Sequence, residues 1–313
     1  MSPEAAEVAG TVRLRRGDGP PRIYGHRGAR GVLPENTMAG FDYLRGLGVA
    51  GVEIDVQNAA GRVPVVIHDP HVPMALVRGP DGAWLNAPGP KVLDLNLEAL
   101  QRYDIGRLNP AAEYAARYPD QRPVDGARIP TLDAFLTWAA DGPPEVLNIE
   151  IKSHAERADL GDPPAVLAED VLAAVHRHGL AGRVLISSFD WRVLSAVRAA
   201  DPQIARGYLS AEPPSSEGNV FDGSPWMDGL RLADHGGSLA RLIAAQGGLV
   251  WCAWHRDLTP ARVAEAQALG LAVNAWTVNT PEDIAAMIAH GVDGIITDLP
   301  ALAQQIATPM CGG

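Results

Sequence analysis

Short β-branched runs alternate with Ala/Leu-rich helical stretches, and this pattern predicts an α/β chain built from parallel βαβ units. Three observations carry that expectation. The alternation continues almost from end to end, two of the runs place polar side chains at every second position, and the 313 residues suffice for one β/α barrel of about 250 residues with additions. Two small domains would also fit the length. With 47% hydrophobic and 20% charged residues, the composition is that of an ordinary globular chain.

Nine runs qualify as strands: Arg22–Gly25, Gly51–Gln57, Val63–His68, Val146–Lys152, Val184–Ser188, Ile204–Leu209, Leu249–Trp254, Leu271–Val278 and Gly294–Thr297. A barrel takes eight, so one run is an addition, and the runs themselves do not say which. Helices are expected over Thr37–Leu47, Leu132–Ala140, Pro164–His178, Trp191–Ala200, Leu239–Gln246, Pro260–Leu269 and Pro281–His290, where apolar residues recur at three- and four-residue spacing. Thr259-Pro260 and Thr280-Pro281 place a capping hydroxyl before proline at the first helical position, and Gly270 and Gly291 follow the helix ends.

Between His68 and Thr131 the alternation gives way to a stretch rich in Pro, Gly and Asn, too long for an ordinary βα loop. An insertion over about residues 70–130 near the barrel mouth is expected within one domain spanning 21–307, with an N-terminal arm over 1–20 and a tail over 308–313.

The formal net charge of -11 disfavours nucleic acid, because binding a phosphate backbone requires clustered Lys and Arg. An anionic substrate must therefore meet local positive charge. Cys252 and Cys311 give no disulfide framework, the opening MSPEAAEVAG lacks the basic and apolar regions of a signal peptide, and no run has membrane-spanning length. A cytoplasmic protein without stable membrane insertion is expected.

In GVEIDVQ, Glu53 and Asp55 lie two apart, so on a strand both carboxylates share one face while Val52, Ile54 and Val56 take the other. In VLNIEIKS, Asn148, Glu150 and Lys152 repeat the arrangement. Three carboxylates form a hard-oxygen site suited to one divalent cation, Ca²⁺ or Mg²⁺, with Lys152 available to a phosphate. The competing reading is a buried Glu–Lys ion pair without metal. His26, followed by Arg27 and glycines in IYGHRGARG, and His68 in VPVVIHDP each end a strand. Two histidines near such a cation suit acid–base cleavage of a phosphate ester. The other histidines, His71, His235 and His255 among them, have no comparable setting. Nucleotide-loop, dinucleotide and zinc-protease motifs are missing from the sequence.

The motifs HRGARGVLPENTMAGF, GVEIDVQ, VVIHD, NIEIKS, SSFDW, VNAWTVN and GVDGIITDLP, in this order, resemble the glycerophosphodiester phosphodiesterase family from about His26 to Pro300. The resemblance implies a TIM-type (β/α)8 barrel, a divalent cation, and hydrolysis of glycerophosphodiesters to glycerol 3-phosphate and an alcohol. It further implies His26 and His68 as the acid/base pair, Glu53, Asp55 and Glu150 as metal ligands, and Arg27 and Lys152 as phosphate contacts. Trp276 and Phe189 would wall the substrate pocket, and Asn36 would organise the first βα loop. After VVIHD the chain departs from the family's frequent Leu and Arg-Thr-Thr continuation, reading HDPHVPMALVRGPDG, so alcohol preference does not transfer. Two other readings compete: a phospholipase D-like lyase that stops at a cyclic phosphate, as in sphingomyelinase D toxins, and a non-catalytic barrel that binds phosphodiesters.

Overall fold

The computed structural model describes residues 12–215 and 217–308. In chain order the principal elements are β1 (Arg22–Gly25), α1 (Met38–Leu47), β2 (Gly51–Ala59), β3 (Val63–Val66), α2 (Leu97–Leu100), α3 (Leu132–Ala140), β4 (Val146–Ile151), α4 (Pro164–Arg177) and β5 (Val184–Ser188). They continue with α5 (Trp191–Ala200), β6 (Ala205–Ser210), α6 (Leu239–Ala245), β7 (Val250–Trp254), α7 (Pro260–Ala268), β8 (Ala272–Trp276), α8 (Pro281–His290), β9 (Gly294–Thr297) and α9 (Pro300–Ala307).

The sheet runs β1-β9-β8-β7-β6-β5-β4-β2 and closes by parallel pairing of β1 with β2, giving an eight-stranded TIM-type barrel. The additional strand is β3. It folds back antiparallel on the far end of β2, pairing Val56 with Val66 and Ala59 with Val63, and so leaves the barrel ring intact. Helix α9, absent from the expected set, is short and partly polar, and it buries only Pro300, Ala303 and Ala307. Packing against the barrel, rather than a strong periodic pattern, holds it.

Strand parity sorts the side chains into two layers. Ile54, Val56, Leu147, Ile149 and Ile186 face outward into the core shared with the helices. Tyr24, Val146, Leu185, Val250, Cys252 and Ala272 face inward and fill the barrel below the site. Tyr24 needs Gly51 beside it, since a Cβ there would lie 2.3 Å from Cδ1 of the ring. Val12 and Leu14 join the inner layer, so this part of the expected arm is a seated plug that covers apolar surface at the barrel floor. Residues 1–11 and 309–313, with Cys311 and most of the expected tail, lie outside the described residues.

Helix starts follow local chemistry. Thr37, Thr131, Thr259 and Thr280 each accept a backbone N–H through the side-chain oxygen, and Pro260 and Pro281 occupy the first turn. Gly270 and Gly291 end their helices with φ of 90° and 80°.

The stretch after β3 has a small core of its own, in which Val72, Val77, Val92, Leu100, Ile105 and Ile129 pack with Val65 and Ile67. Its two turns of 3-10 helix, Val92–Asp94 and Glu113–Arg117, bracket α2, and the second carries Tyr114 to the barrel mouth.

Candidate active site

A cleft of ≈ 410 Å³ opens over the C-terminal ends of the strands. At its base, register aligns Glu53 with Asn148 and Asp55 with Glu150 across β2 and β4. Because side chains alternate along a strand, this register places all three carboxylates on the inner face of two neighbouring strands. One oxygen from each lies within 4.8 Å of the others.

The first βα loop is shaped around these acids. Arg27 and Asn36 adopt left-handed backbone, with φ of 50° and 54°, a conformation that costs energy outside glycine. The turn directs the Arg27 N–H onto Glu53 Oε2 at 2.9 Å, and the Asn36 N–H bonds the Arg27 carbonyl at 2.8 Å. Asn36 Nδ2 then donates to Asp55 Oδ2 at 3.0 Å. Thus Asn36 ties the loop directly to an acid of the site.

Arg27 lies between Glu35, at 2.9 Å, and Asp55, at 3.2 Å. Lys152 Nζ donates to Glu150 Oε1 at 2.6 Å and lies 3.8 Å from Asp55. Two cations therefore edge three buried acids, and Arg27 is shared with Glu35. Burial, with repulsion from Asp55 and Glu150, pushes the Glu53 carboxyl well above the usual range. Burial also raises Glu150, although Lys152 opposes it, while Arg27, His68 and Lys152 hold Asp55 low despite burial.

Glu53 Oε1 and Asp55 Oδ1 are buried without any hydrogen-bond partner. Orphaned carboxylate oxygens are costly in a protein interior. Three such acids, oxygen-only and mutually repelling, fit a hard divalent cation, which would satisfy both orphans and offset the excess negative charge.

His26 follows β1, and its Nδ1 lies 2.7 Å from Asp298 Oδ1. Burial, reinforced by Arg30, lowers the His26 pKa to about 4, with Asp298 opposing. The ring is consequently neutral near pH 7, and the acceptor-only carboxylate requires that Nδ1 carry the hydrogen. Nε2 is left with a free lone pair, 3.8 Å from Glu53. Asp298 also accepts two bonds from Arg30, at 2.9 and 3.1 Å, and one from Asn279 Nδ2 at 2.7 Å, while the Tyr118 hydroxyl donates at 3.3 Å. His68 is about a third exposed, with Nδ1 2.6 Å from Asp69 Oδ1.

Trp276 and Phe189 meet edge to face with ring centroids 5.2 Å apart, and both line the cleft. His26, Arg27, Glu53, His68, Glu150, Lys152, Phe189 and Trp276 are therefore brought to one cavity, with Asp55 buried beneath it. His255 instead packs beside Trp276, its Nδ1 3.2 Å from the Trp276 carbonyl, and His71 bridges to Lys91 in the segment after β3.

The sequence reading assigned no role to Asp298, Asn279, Glu35, Arg30, Tyr114 or Tyr118. Asp298, Asn279, Glu35 and Arg30 fall inside motifs already quoted, and polar residues there were a usable signal. The tyrosines carry none, because their contacts exist only once the segment after β3 folds over the mouth. Tyr114 donates to Glu35 and Tyr118 to Asp298.

A family model for the glycerophosphoryl diester phosphodiesterase family matches residues 26–302. The glycerophosphodiester phosphodiesterase of Caldanaerobacter subterraneus subsp. tengcongensis is 30% identical over 278 residues, covering 89% of this chain and 94% of that protein. A crystal structure from Silicibacter pomeroyi DSS-3, provisionally described as a glycerophosphoryl diester phosphodiesterase, is similar with a TM-score of 0.83 and 36% identity, covering 95% of this chain and 96% of the other. An Oleispira antarctica phosphodiesterase, solved with the product sn-glycerol-3-phosphate, shares the fold at a TM-score of 0.65 and 23% identity, over 92% and 96% of the two chains. By the extent of these matches the chain belongs to the glycerophosphoryl diester phosphodiesterase family.

Proposed function

We propose that this protein hydrolyses glycerophosphodiesters to glycerol 3-phosphate and an alcohol, with a divalent cation held by Glu53, Asp55 and Glu150. The observation that carries the metal site is the pair of buried, orphaned oxygens on Glu53 and Asp55 beside Glu150. When bound, Mg²⁺ or Ca²⁺ supplies positive charge that polarises a phosphoryl oxygen and acidifies a nearby hydroxyl.

The residues of the chain divide the remaining work. His26, neutral and with Nε2 free, takes the proton of the glycerol 2-hydroxyl as its oxygen bonds to phosphorus. The bond from phosphorus to the alcohol oxygen breaks, and His68 gives that oxygen a proton. Arg27 and Lys152 offset charge on the phosphoryl oxygens, while Phe189 and Trp276 wall the substrate from water. The product of this step is a cyclic glycerol phosphate. Water then opens the ring, giving its proton to His68, and His26 returns a proton to the 2-oxygen.

A coupled glycerol 3-phosphate assay with and without EDTA, followed by phosphorus NMR, tests the proposal. Glycerol 3-phosphate formed only in the presence of cation is expected. Accumulation of the cyclic phosphate as the end product would replace hydrolysis with a lyase reaction, and unchanged activity after exhaustive chelation would remove the metal.

A further inference from the structure

The segment between β3 and α3 docks on the first βα loop at several points. Gln121 Nε2 donates to the Arg30 carbonyl at 2.7 Å, and the Arg122 N–H donates to the Val32 carbonyl at 2.9 Å. Tyr118 packs against Tyr114 with ring centroids 5.2 Å apart, and Arg30 Cζ lies over the Tyr118 ring, 5.1 Å from its centroid. These contacts seat the 3-10 turn Glu113–Arg117, and with it Tyr114, in the wall of the main cleft.

The Tyr114 hydroxyl stands between two charges. It accepts from Arg30 Nη1 at 3.2 Å and donates to Glu35 Oε2. Burial and the Glu35 carboxylate hold the phenol far above its usual pKa, so the hydroxyl keeps the proton it donates. Glu35 is buried with both oxygens committed, Oε2 to Tyr114 and Oε1 to Arg27 Nη1 at 2.9 Å. Among the described residues this is the only side-chain hydrogen bond that Arg27 makes. Arg27 Nε, 3.2 Å from Asp55 Oδ2, is buried without a hydrogen bond, so Asp55 attracts the guanidinium by charge alone. A charge attraction has no preferred angle. The direction of the guanidinium is therefore set by Glu35, and that of Glu35 by Tyr114.

We propose that Tyr114 is a positioning residue for the phosphate site: acting through Glu35, it holds Arg27 at the cleft wall and keeps it from turning onto Asp55. The inference rests on the hydrolase reading for the assignment of Arg27 to the phosphate. Without the hydroxyl, Glu35 Oε2 loses its donor and the carboxylate is free to rotate. The guanidinium then follows the larger negative charge of Glu53, Asp55 and Glu150, and a substrate phosphate meets it less often in a productive pose. His26 and His68 touch neither Tyr114 nor Glu35 by a hydrogen bond, so the cost falls on holding the phosphate and not on proton transfer.

The test is Tyr114→Phe, which keeps the ring against Tyr118 and removes only the hydroxyl. Steady-state kinetics on glycerophosphocholine and calorimetric titration with sn-glycerol 3-phosphate, both with Mg²⁺, compare the native protein, Y114F, R27A and Y114F/R27A. In Y114F, kcat/KM should fall about tenfold, mainly through KM, and product affinity by about the same factor, the scale of one hydrogen bond to a charged group. In the R27A background the same change should cost less than about twofold, because the group that Tyr114 positions is gone. A tyrosine that only fastened the inserted segment would cost the same in both backgrounds. The calorimetric cycle needs no turnover: a native protein that binds sn-glycerol 3-phosphate but hydrolyses no diester ends the hydrolase reading, while the four affinities still decide the role of Tyr114. A loss in Y114F below about twofold, a loss in kcat with KM and product affinity unchanged, or an equal loss in the R27A background overturns the proposal.

Discussion

Neutralising one acid of the trio should move stability in opposite directions with and without metal. In Glu53→Gln the side-chain oxygen can still accept the Arg27 N–H, while one of three buried like charges is removed. Two unit charges 4.8 Å apart repel by about 3.5 kcal/mol at an effective dielectric of about 20. Arg27 and Lys152 compensate part of this, so a gain of about 1–3 kcal/mol is expected for the variant in EDTA. Whether the metal-free protein relieves the repulsion by keeping a proton on Glu53 or endures it as charge, the native acid carries a cost that glutamine does not. For a chain of 313 residues each kcal/mol shifts the midpoint by roughly 1.5 °C, so Glu53→Gln should melt about 1.5–5 °C above the native protein in EDTA. With Mg²⁺ or Ca²⁺ at a hundred times its dissociation constant, the native protein gains about 2.7 kcal/mol, or about 4 °C, and the variant gains little. Differential scanning calorimetry reads both effects. If Glu53→Gln melts below the native protein in EDTA, or if the cations raise both midpoints alike, the trio is not a metal site built at the expense of stability.

Three further substitutions follow from the same geometry. His26→Ala and His68→Ala should each lower kcat by about two to four orders of magnitude, and the partly exposed His68 variant should keep its melting midpoint; native turnover in either would remove it from the acid–base pair. Asp298→Asn should lower stability by about 3–5 kcal/mol, because buried Arg30 loses its carboxylate partner. His26 and Arg30 hold the Asp298 carboxyl below its usual range against burial, so its stabilisation is present above the unfolded pKa near 3.8 and is lost as pH falls below it. The Asp298→Asn difference in denaturant unfolding should accordingly narrow below about pH 4, and a difference independent of pH across that range would contradict the ionised pairing.

Much of the site was legible because its information is local. Alternation along a strand decides which face a side chain takes, and within GVEIDVQ and VLNIEI the outward positions, Val52, Ile54, Val56, Leu147, Ile149 and Ile151, are all aliphatic. The inward acids could then be identified without knowing which strand lies beside which. Arg27 and Asn36 were recognised through motif, but the reason for both, a left-handed loop that turns an amide toward Glu53 and a side chain toward Asp55, is a property of φ and contact.

By itself, the sequence determined the α/β alternation, the helix starts at Thr259-Pro260 and Thr280-Pro281, and the two-faced strands that carry Glu53, Asp55, Glu150 and Lys152, since each follows from the chemistry of neighbouring residues. Tertiary structure alone decided that β3 is the additional strand, that Val12 and Leu14 plug the floor, that Asp298 fixes the His26 hydrogen on Nδ1, and that Tyr114 reaches Glu35. The physical reason is closure: bringing β1 against both β2 and β9 joins residues 272 positions apart, such as His26 and Asp298, and no local pattern records a contact made by completing a ring.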